Sequence, residues 1–150
     1  MKLILACDPK GGIGYKNRLP WDKIQGDLPR FKRLTENGIV VMGRNTWESL
    51  PKKPLPNRVN VVISRTMKPN DDAIVLPNIG RLKDAGGAWI IGGASLIESV
   101  WEHIKEIHLT LVLAEYTCDT YVDIVKLKKD FVQVTGSGHG DHSYEVWKRR

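Results

Sequence analysis

The apolar residues of this chain fall mostly into short continuous runs. Such runs occupy residues 3–7, 38–42, 59–64, 73–76 and 88–91. Runs of this length, bounded by Gly, Pro or Asp, are typical of strands buried on both faces of a parallel sheet. Residues 106–113 instead alternate apolar and polar positions. Residues 131–138 and 142–149 alternate too and are separated by a short polar turn, which predicts an antiparallel C-terminal hairpin.

Helical spacing is confined to a few segments. In residues 27–37, Leu28, Phe31 and Leu34 recur every three residues, Pro29 suits a first turn, and Gly38 suits the C′ position. Shorter helices are predicted at residues 44–50, around residues 79–83 and within residues 92–104, whereas residues 8–21 and 51–58 are predicted as loops. Because strands alternate with helices, we expect a single α/β domain over residues 1–150. Its central sheet would be mixed, mostly parallel and eight-stranded, with about four flanking helices.

Composition and charge favour an anionic partner. The chain has 150 residues, of which 41% are hydrophobic, a net charge of +6 and a pI near 9.4. Nucleic acid, phosphate-bearing small molecules and polycarboxylates would all suit this charge. No basic stripe interleaved with aromatic residues is evident, so we expect no nucleic acid partner. A small basic binding protein without catalytic activity remains an alternative.

The cysteine and hydropathy patterns suggest the cellular setting. Cys7 and Cys118 lie far apart and outside any metal-ligand spacing, so we expect neither a disulfide framework nor a metal site. The apolar run at residues 3–7 is shorter than a secretory core, and no run approaches a membrane span. We therefore expect a cytoplasmic protein with no membrane partner.

Two strand-to-helix junctions carry features of an anion site. Residues 43–46 read Gly-Arg-Asn-Thr and residues 92–95 read Gly-Gly-Ala-Ser. Both would lie at carboxyl ends of parallel strands, where open α/β sheets bind ligands and where free helix N–H groups attract phosphates. Residues 64–66, Ser-Arg-Thr, follow a third strand and would suit a terminal phosphate such as the 2′-phosphate of NADP. Taken singly, each stretch could also be an ordinary turn or strand end.

Asp27 is the most informative carboxylate. It begins the helix whose apolar positions follow at Phe31 and Leu34, so its side chain is predicted to point along that stripe toward the core. It could pair bidentately with a planar, amidine-like group of a ligand, or it could simply complement the helix dipole. Thr110 lies on the less apolar face of its strand and could hydrogen-bond the same carboxylate. Since no nucleophile and base pair is evident, any chemistry would come from a bound cofactor.

Seven stretches together resemble dihydrofolate reductase over nearly the whole chain. They are GIGYKNRLPW (12–21), DLPRFKRLT (27–35), VVMGRNTWESL (40–50), PLPNRVNVVISR (54–65), IIGGASLIES (90–99), IHLTLV (107–112) and DTY (119–121). The resemblance implies NADPH-dependent reduction of 7,8-dihydrofolate to 5,6,7,8-tetrahydrofolate, which serves one-carbon and thymidylate and purine nucleotide metabolism. Hydride would pass to C6 and a proton to N5. It also implies inhibition by antifolates such as methotrexate and trimethoprim, and a monomer.

The resemblance assigns roles residue by residue. Asp27 would hold the pterin 2-amino group and N3 with support from Thr110, Leu19 and Trp21 would belong to a mobile loop over the site, and Arg58 would bind the glutamate α-carboxylate. The implied substrate pocket comprises Ile4, Ala6, Asp27, Leu28, Phe31, Leu50, Leu55, Arg58, Ile91 and Thr110. The implied cofactor contacts are Ala6, Ile13, Gly14, Asn17, Leu19, Gly43, Arg44, Asn45, Thr46, Ile63, Ser64, Arg65, Thr66, Ile91, Gly92, Gly93, Ala94, Ser95, Leu96 and Thr120. Gly92 and Gly93 match a pair that this family joins by a cis peptide bond.

Some positions depart from the commonest family pattern. Ile97 stands where an aromatic residue is frequent, and Val122 replaces a frequent Phe without the usual neighbouring proline. A reductase of the same fold that acts on another pterin, or on a pyrimidine of flavin synthesis, is the alternative enzyme. A glutamate-binding Arg58 would have little use in such an enzyme.

Overall fold

The computed structural model describes residues 1–21, 24 and 26–150. The strands are β1 Lys2–Cys7, β2 Gly12–Gly14, β3 Ile39–Gly43, β4 Val59–Ile63, β5 Ile74–Leu76, β6 Ala88–Gly92, β7 Glu106–Val112, β8 Thr120–Tyr121, β9 Phe131–Gly138 and β10 His142–Arg149. The helices are α1 Asp27–Thr35, α2 Arg44–Ser49, α3 Ala94–Val100 and α4 Ile124–Asp130, and a 3₁₀ turn, Trp101–His103, follows α3.

Eight strands form one mixed sheet in the order β5-β4-β3-β6-β1-β7-β10-β9. The strands from β5 to β7 pair in parallel, whereas β10 pairs antiparallel with both β7 and β9. This confirms the predicted mixed, mostly parallel sheet with an antiparallel C-terminal hairpin. The short strands β2 and β8 form a separate antiparallel pair.

Both faces of the sheet are covered. Val41 belongs to the larger apolar cluster, whereas its neighbours Val40 and Met42 belong to a second cluster with Trp47 of α2. Successive residues of a strand point to opposite faces, so the two clusters lie on opposite sides of the sheet. The continuous apolar runs in the sequence reflect this two-sided burial.

Two of the predicted helical features are wrong. The segment around Ile79 forms only a turn, closed by a bond from the Lys83 N–H to the Ile79 carbonyl, because Gly80, Gly86 and Gly87 flank too few apolar positions to extend it. Helix α1 ends at Thr35, and the left-handed residue after it is Asn37, with φ of 64°, and not Gly38. Asparagine accepts this conformation because its short polar side chain tolerates it.

Helix α4 was missed because its pattern is weakly amphipathic. Asp123 caps it by accepting a bond from the Lys126 N–H, at 3.0 Å, and Leu127 is its one buried residue. Four helices are therefore present in the described part of the chain, as expected, with α4 in place of the predicted helix near residue 79.

Asp8 ties the glycine-rich loop after β1 to the segment before β8. Its carboxylate is completely buried and accepts bonds from the N–H groups of Lys10, Gly12 and Tyr116, at 2.9–3.0 Å. A Cβ at Gly12 would collide with the sulfur of Cys118, so glycine permits this close approach. These charge-assisted hydrogen bonds from three N–H groups hold the loop against the segment before β8.

We expect Asp8→Asn to destabilise the protein by about 1–3 kcal/mol, because an amide offers one acceptor where three N–H groups need partners. Chemical denaturation would measure this loss, and trypsin should cleave faster at Lys16 and Arg18 in the loosened loop. Asp71→Asn, which changes an exposed carboxylate, is the matched control. An equal, small effect in both variants would contradict the anchoring role of Asp8.

Candidate active site

The three segments that the sequence predicts as phosphate-binding meet where strands β3, β4 and β6 end, at the side of the sheet that we call the carboxyl edge. In the parallel register, Gly43 of β3 lies beside Ile63 of β4, and Met42 lies beside Gly92 of β6. The residues that follow these strands therefore leave the sheet side by side. This edge is formed by carboxyl ends of parallel strands, where ligands of open α/β sheets bind.

The junctions after β3 and β6 are in close contact. Cβ atoms placed on Gly92 and Gly93 would lie 3.4 and 3.5 Å from the Thr46 hydroxyl, and one on Gly43 would lie 3.8 Å from the Gly93 nitrogen. The Gly92–Gly93 peptide bond is cis, as the family resemblance implied, and Gly92 has φ of 130°. Glycine suits this backbone because other residues rarely adopt such a φ. The first N–H groups of α2 and α3 are thereby brought to a common edge.

Arg44 links two of the predicted cofactor segments. Its Nε lies 2.8 Å from Oε1 of Glu48, and its guanidinium donates to the Thr66 hydroxyl at 3.3 Å. The Ser64 hydroxyl accepts bonds from the N–H groups of Thr66 and Met67 and so shapes the turn after β4. Arg65 is exposed in that turn. The guanidinium groups of Arg44 and Arg65 therefore both lie near the carboxyl end of β4.

Asp27 and Thr110 meet near the carboxyl ends of β1 and β7. Thr110 pairs with Ala6 in the register of β7 and β1, is buried, and donates a 2.7 Å bond to Oδ1 of Asp27. Asp27 is the first residue of α1 and follows Gly26, which is left-handed. The hydrogen bond expected between Thr110 and Asp27 is thus present in the structure.

The burial expected along α1 is wrong in detail. Asp27, Phe31 and Leu34 are only half-buried, and the Leu28 side chain is 62% exposed. The buried residues of this helix are Arg30 and Thr35, both polar. Arg30 faces Thr110 of β7 and Tyr144 of β10, whereas the Thr35 hydroxyl donates to the Phe31 carbonyl and accepts a bond from Arg58.

Arg30 is a buried residue of the site that the sequence did not reveal. Its guanidinium donates to the Thr110 hydroxyl at 3.2 Å and lies 4.3 Å from the centre of the Tyr144 ring. Burial lowers the pKa of the guanidinium, while the charge of Asp27 acts in the opposite direction. An arginine in the run Asp-Leu-Pro-Arg-Phe-Lys-Arg is ordinarily read as exposed, so no local signal marks it.

Arg58 is held in a defined orientation beside α1. Its Nε donates to the Pro56 carbonyl at 2.9 Å, its terminal nitrogen donates to the Thr35 hydroxyl at 3.1 Å, and it lies 5.8 Å from the Phe31 ring centre. Desolvation lowers the pKa of this guanidinium, and the charge of Glu36 opposes that effect. These contacts leave part of the guanidinium fork available for a carboxylate.

Asn60 fixes the proline-rich loop next to Arg58. Its side-chain amide is buried and exchanges two hydrogen bonds with the backbone of Leu55, at 2.9 and 3.0 Å. Leu55 consequently packs against the cluster of Trp47, together with Leu50 and Ile91. Three predicted substrate-pocket residues thus lie together, and Asn60 holds one of them, Leu55, in place.

The loop after β2 is held in place at two of its residues, Lys16 and Trp21. Trp21 is buried, contacts Tyr116 edge-to-face with ring centres 5.7 Å apart, and packs with Val112. The Lys16 N–H donates to Oδ2 of Asp119 at 2.9 Å, and this bond is the main cause that lowers the pKa of Asp119.

The remaining predicted site residues lie in strands, at the start of α3, in an exposed loop and in the larger apolar cluster. Ile4 is buried in β1, Gly14 pairs with Thr120, and Ala94 and Ser95 open α3. Leu19 is 55% exposed and Asn17 is exposed at a loop tip. Ile13, Ile63 and Leu96 pack into or against the larger apolar cluster.

Other kinds of site are not indicated in the described part of the chain. There, no cluster of three or more His, Cys, Asp or Glu side chains could hold a metal ion, and no helix has the length and apolar character of a membrane span. Cys7 and Cys118 are free thiols. Burial raises the pKa of the Cys7 thiol to about 12, so it is a poor nucleophile.

Comparisons with known proteins identify a family and several relatives of this chain. The family described as Dihydrofolate reductase matches residues 1–146. Dihydrofolate reductase type 8 from Escherichia coli is 36% identical over 98% of this chain and 94% of its own length. Dihydrofolate reductase from Sus scrofa is 31% identical over 86% of this chain and 82% of its own length.

A longer relative matches over part of its length. The bifunctional dihydrofolate reductase-thymidylate synthase of Paramecium tetraurelia is 44% identical over 81% of this chain, and the match spans 28% of that relative. The family match over residues 1–146, together with the relatives that cover most of their own length, shows that this chain belongs to the dihydrofolate reductase family.

Proposed function

We propose that this protein reduces 7,8-dihydrofolate to tetrahydrofolate with NADPH. The observation that carries the proposal is the Asp27–Thr110 pair, a half-buried carboxylate hydrogen-bonded at the carboxyl edge of the sheet. Family membership supports the reaction, and the neighbouring glycine junctions support the cofactor.

The chemistry of the donor set fits NADPH. The N-termini of α2 and α3 meet beside Thr46, and the close approach of Gly43 and Gly93 leaves the backbone accessible to phosphates. Arg44 and Arg65 add positive charge where β4 ends, which suits a 2′-phosphate. When bound, NADPH would supply the hydride that passes to C6 of the pterin.

Asp27 would orient the pterin and support its protonation. Oδ1 already accepts the Thr110 hydroxyl, and no hydrogen bond from the described residues reaches Oδ2. That oxygen and the second lone pair of Oδ1 can accept the pterin 2-amino group and N3 bidentately. A carboxylate in this position stabilises positive charge on the pterin, which favours the proton at N5.

Arg58 would distinguish folates from smaller pterins. Thr35 and Pro56 hold its guanidinium against Phe31, so little side-chain freedom is lost when a glutamate carboxylate binds. The loop carrying Leu19 and Trp21 would exclude water above the pterin. We therefore favour dihydrofolate over another pterin or a pyrimidine as the substrate.

The purified protein should oxidise NADPH in the presence of dihydrofolate, and methotrexate should abolish this turnover. Absorbance of the reduced nicotinamide is the measurement, and a reaction without dihydrofolate is the control. NADPH binding without any turnover would refute the proposed substrate while leaving the cofactor in place.

Asp27→Asn should keep NADPH affinity but reduce hydride transfer at neutral pH by about two orders of magnitude, since the amide cannot stabilise the protonated pterin. Single-turnover kinetics would measure the step, with Asp71→Asn as the matched exposed control. Near-normal hydride transfer in Asp27→Asn would disprove the role proposed for this carboxylate.

Arg65→Ala should weaken NADPH binding about tenfold or more and leave NADH binding nearly unchanged, because only NADPH carries the 2′-phosphate. Dissociation constants from fluorescence titration would test this, with Arg81→Ala as the control for loss of an exposed arginine. Equal weakening of both cofactors would remove Arg65 from the 2′-phosphate site.

A further inference from the structure

Arg30 is a permanent charge placed in the interior next to the candidate acid. Its side chain is 7% exposed, although it lies in the first turn of a short helix with exposed neighbours at Leu28 and Pro29. Burying a guanidinium is costly unless it is hydrogen-bonded and its charge is compensated. The site supplies that compensation through Thr110, the Tyr144 ring and the nearby charge of Asp27.

The hydrogen bonds of Thr110 have only one consistent direction. A guanidinium can only donate, so the bond from Arg30 occupies a lone pair of the Thr110 oxygen. The single hydroxyl proton of Thr110 is then directed to Oδ1 of Asp27, at 2.7 Å. Because a donor already points at this oxygen from the Arg30 side, the hydroxyl proton cannot turn toward Arg30, and Oδ1 of Asp27 is its acceptor.

Tyr144 holds the guanidinium in place from the opposite strand. The ring centre lies 4.3 Å from the central carbon of the guanidinium, a cation–π distance. The Tyr144 hydroxyl lies 3.3 Å from where a Cβ on Gly26 would be, so the ring packs under the start of α1. Helix, central strand and hairpin are therefore joined through one arginine.

We propose that Arg30 is a positioning residue for the candidate acid. It fixes the Thr110 hydroxyl on Oδ1 and places a positive charge two hydrogen bonds behind the carboxylate, with Thr110 between them. The oxygen Oδ2 is thereby kept as the ligand-facing acceptor. The inference deepens the proposed reductase function and rests on it for its kinetic consequence.

The kinetic consequence is a dependence on pH. A nearby cation disfavours every protonated form in the site, whether the proton is on the carboxylate or on the pterin. Removing the cation should therefore move the pH midpoint of hydride transfer upward. Among the described residues, the other charged or titratable groups facing this position are Asp27 and Arg33 of α1, Tyr144 of β10, and His139, Asp141 and His142 beyond the Tyr144 ring.

Arg30→Met keeps the length and apolar stem of the side chain but removes its charge and donors. Single-turnover hydride transfer, measured from about pH 5 to pH 9, should show a midpoint raised by about one unit. Arg30→Lys should return the midpoint toward the wild-type value because the charge is restored. Arg33→Met, which removes an exposed arginine from the same helix, should shift it much less.

An unchanged midpoint in Arg30→Met, or an equal shift in Arg33→Met, would overturn the proposal and reduce Arg30 to a packing residue. Circular dichroism and NADPH affinity would identify a variant that fails to fold. In that event the pH midpoint of hydride transfer would be compared in Arg30→Lys and Arg30→Gln, which disturb the packing less. A raised midpoint in Arg30→Gln with a near-normal midpoint in Arg30→Lys would support the proposal.

A separate measurement does not depend on turnover. Carbon-13 NMR of the free protein at neutral pH should show a changed chemical shift of the Asp27 carboxyl carbon in Arg30→Met and a near-normal one in Arg30→Lys, because the bond from Thr110 to Oδ1 changes when Arg30 is lost. If wild-type protein did not reduce dihydrofolate but this spectral change occurred, the proposed function would fail and the positioning role would stand. If turnover were normal and the carboxyl signal did not change, the positioning role would fail alone.

Discussion

The parallel pairing of β4, β3, β6, β1 and β7 is the constraint on which the site depends. Because these strands run in one direction, their carboxyl ends share an edge, and residues distant in sequence leave the sheet there together. The register is equally important. A slip of one residue between β1 and β7 would turn Thr110 to the other face and break its contact with Asp27.

Most of the sheet could be predicted because burial on both faces produces continuous apolar runs, and alternation identifies the hairpin. Helices were harder. The segment near Ile79 had helical spacing but was too short between glycines to form more than a turn. Helix α4 has only Leu127 buried, so its stability comes from that contact and from the Asp123 cap, and periodicity alone does not reveal it.

The site could be predicted where a residue type and its place at an element boundary carry the chemistry, as for Asp27 and the glycine pair at Gly92. Arg30, Asp8 and Asn60 could not. Polar patterning assigns such residues to the surface, and their burial depends on partners from distant strands and loops. Such partners are set by the tertiary fold, so only the structure shows that these polar groups are satisfied inside.

Asp8 and Asp27 show how one residue type takes two roles near the carboxyl ends of the same strands. Asp8 is completely buried, and three backbone N–H groups satisfy both of its oxygens. Because it is completely buried, it is closed to a ligand, and its interactions hold the loop. Asp27 is half-exposed and, among the described residues, accepts one side-chain bond, from a hydroxyl whose direction Arg30 sets. Its unsatisfied acceptor capacity, rather than its charge alone, distinguishes it as the carboxylate able to bind a ligand. The environment therefore separates a structural acid from the one that we propose to be functional, and the separation rests on counting donors.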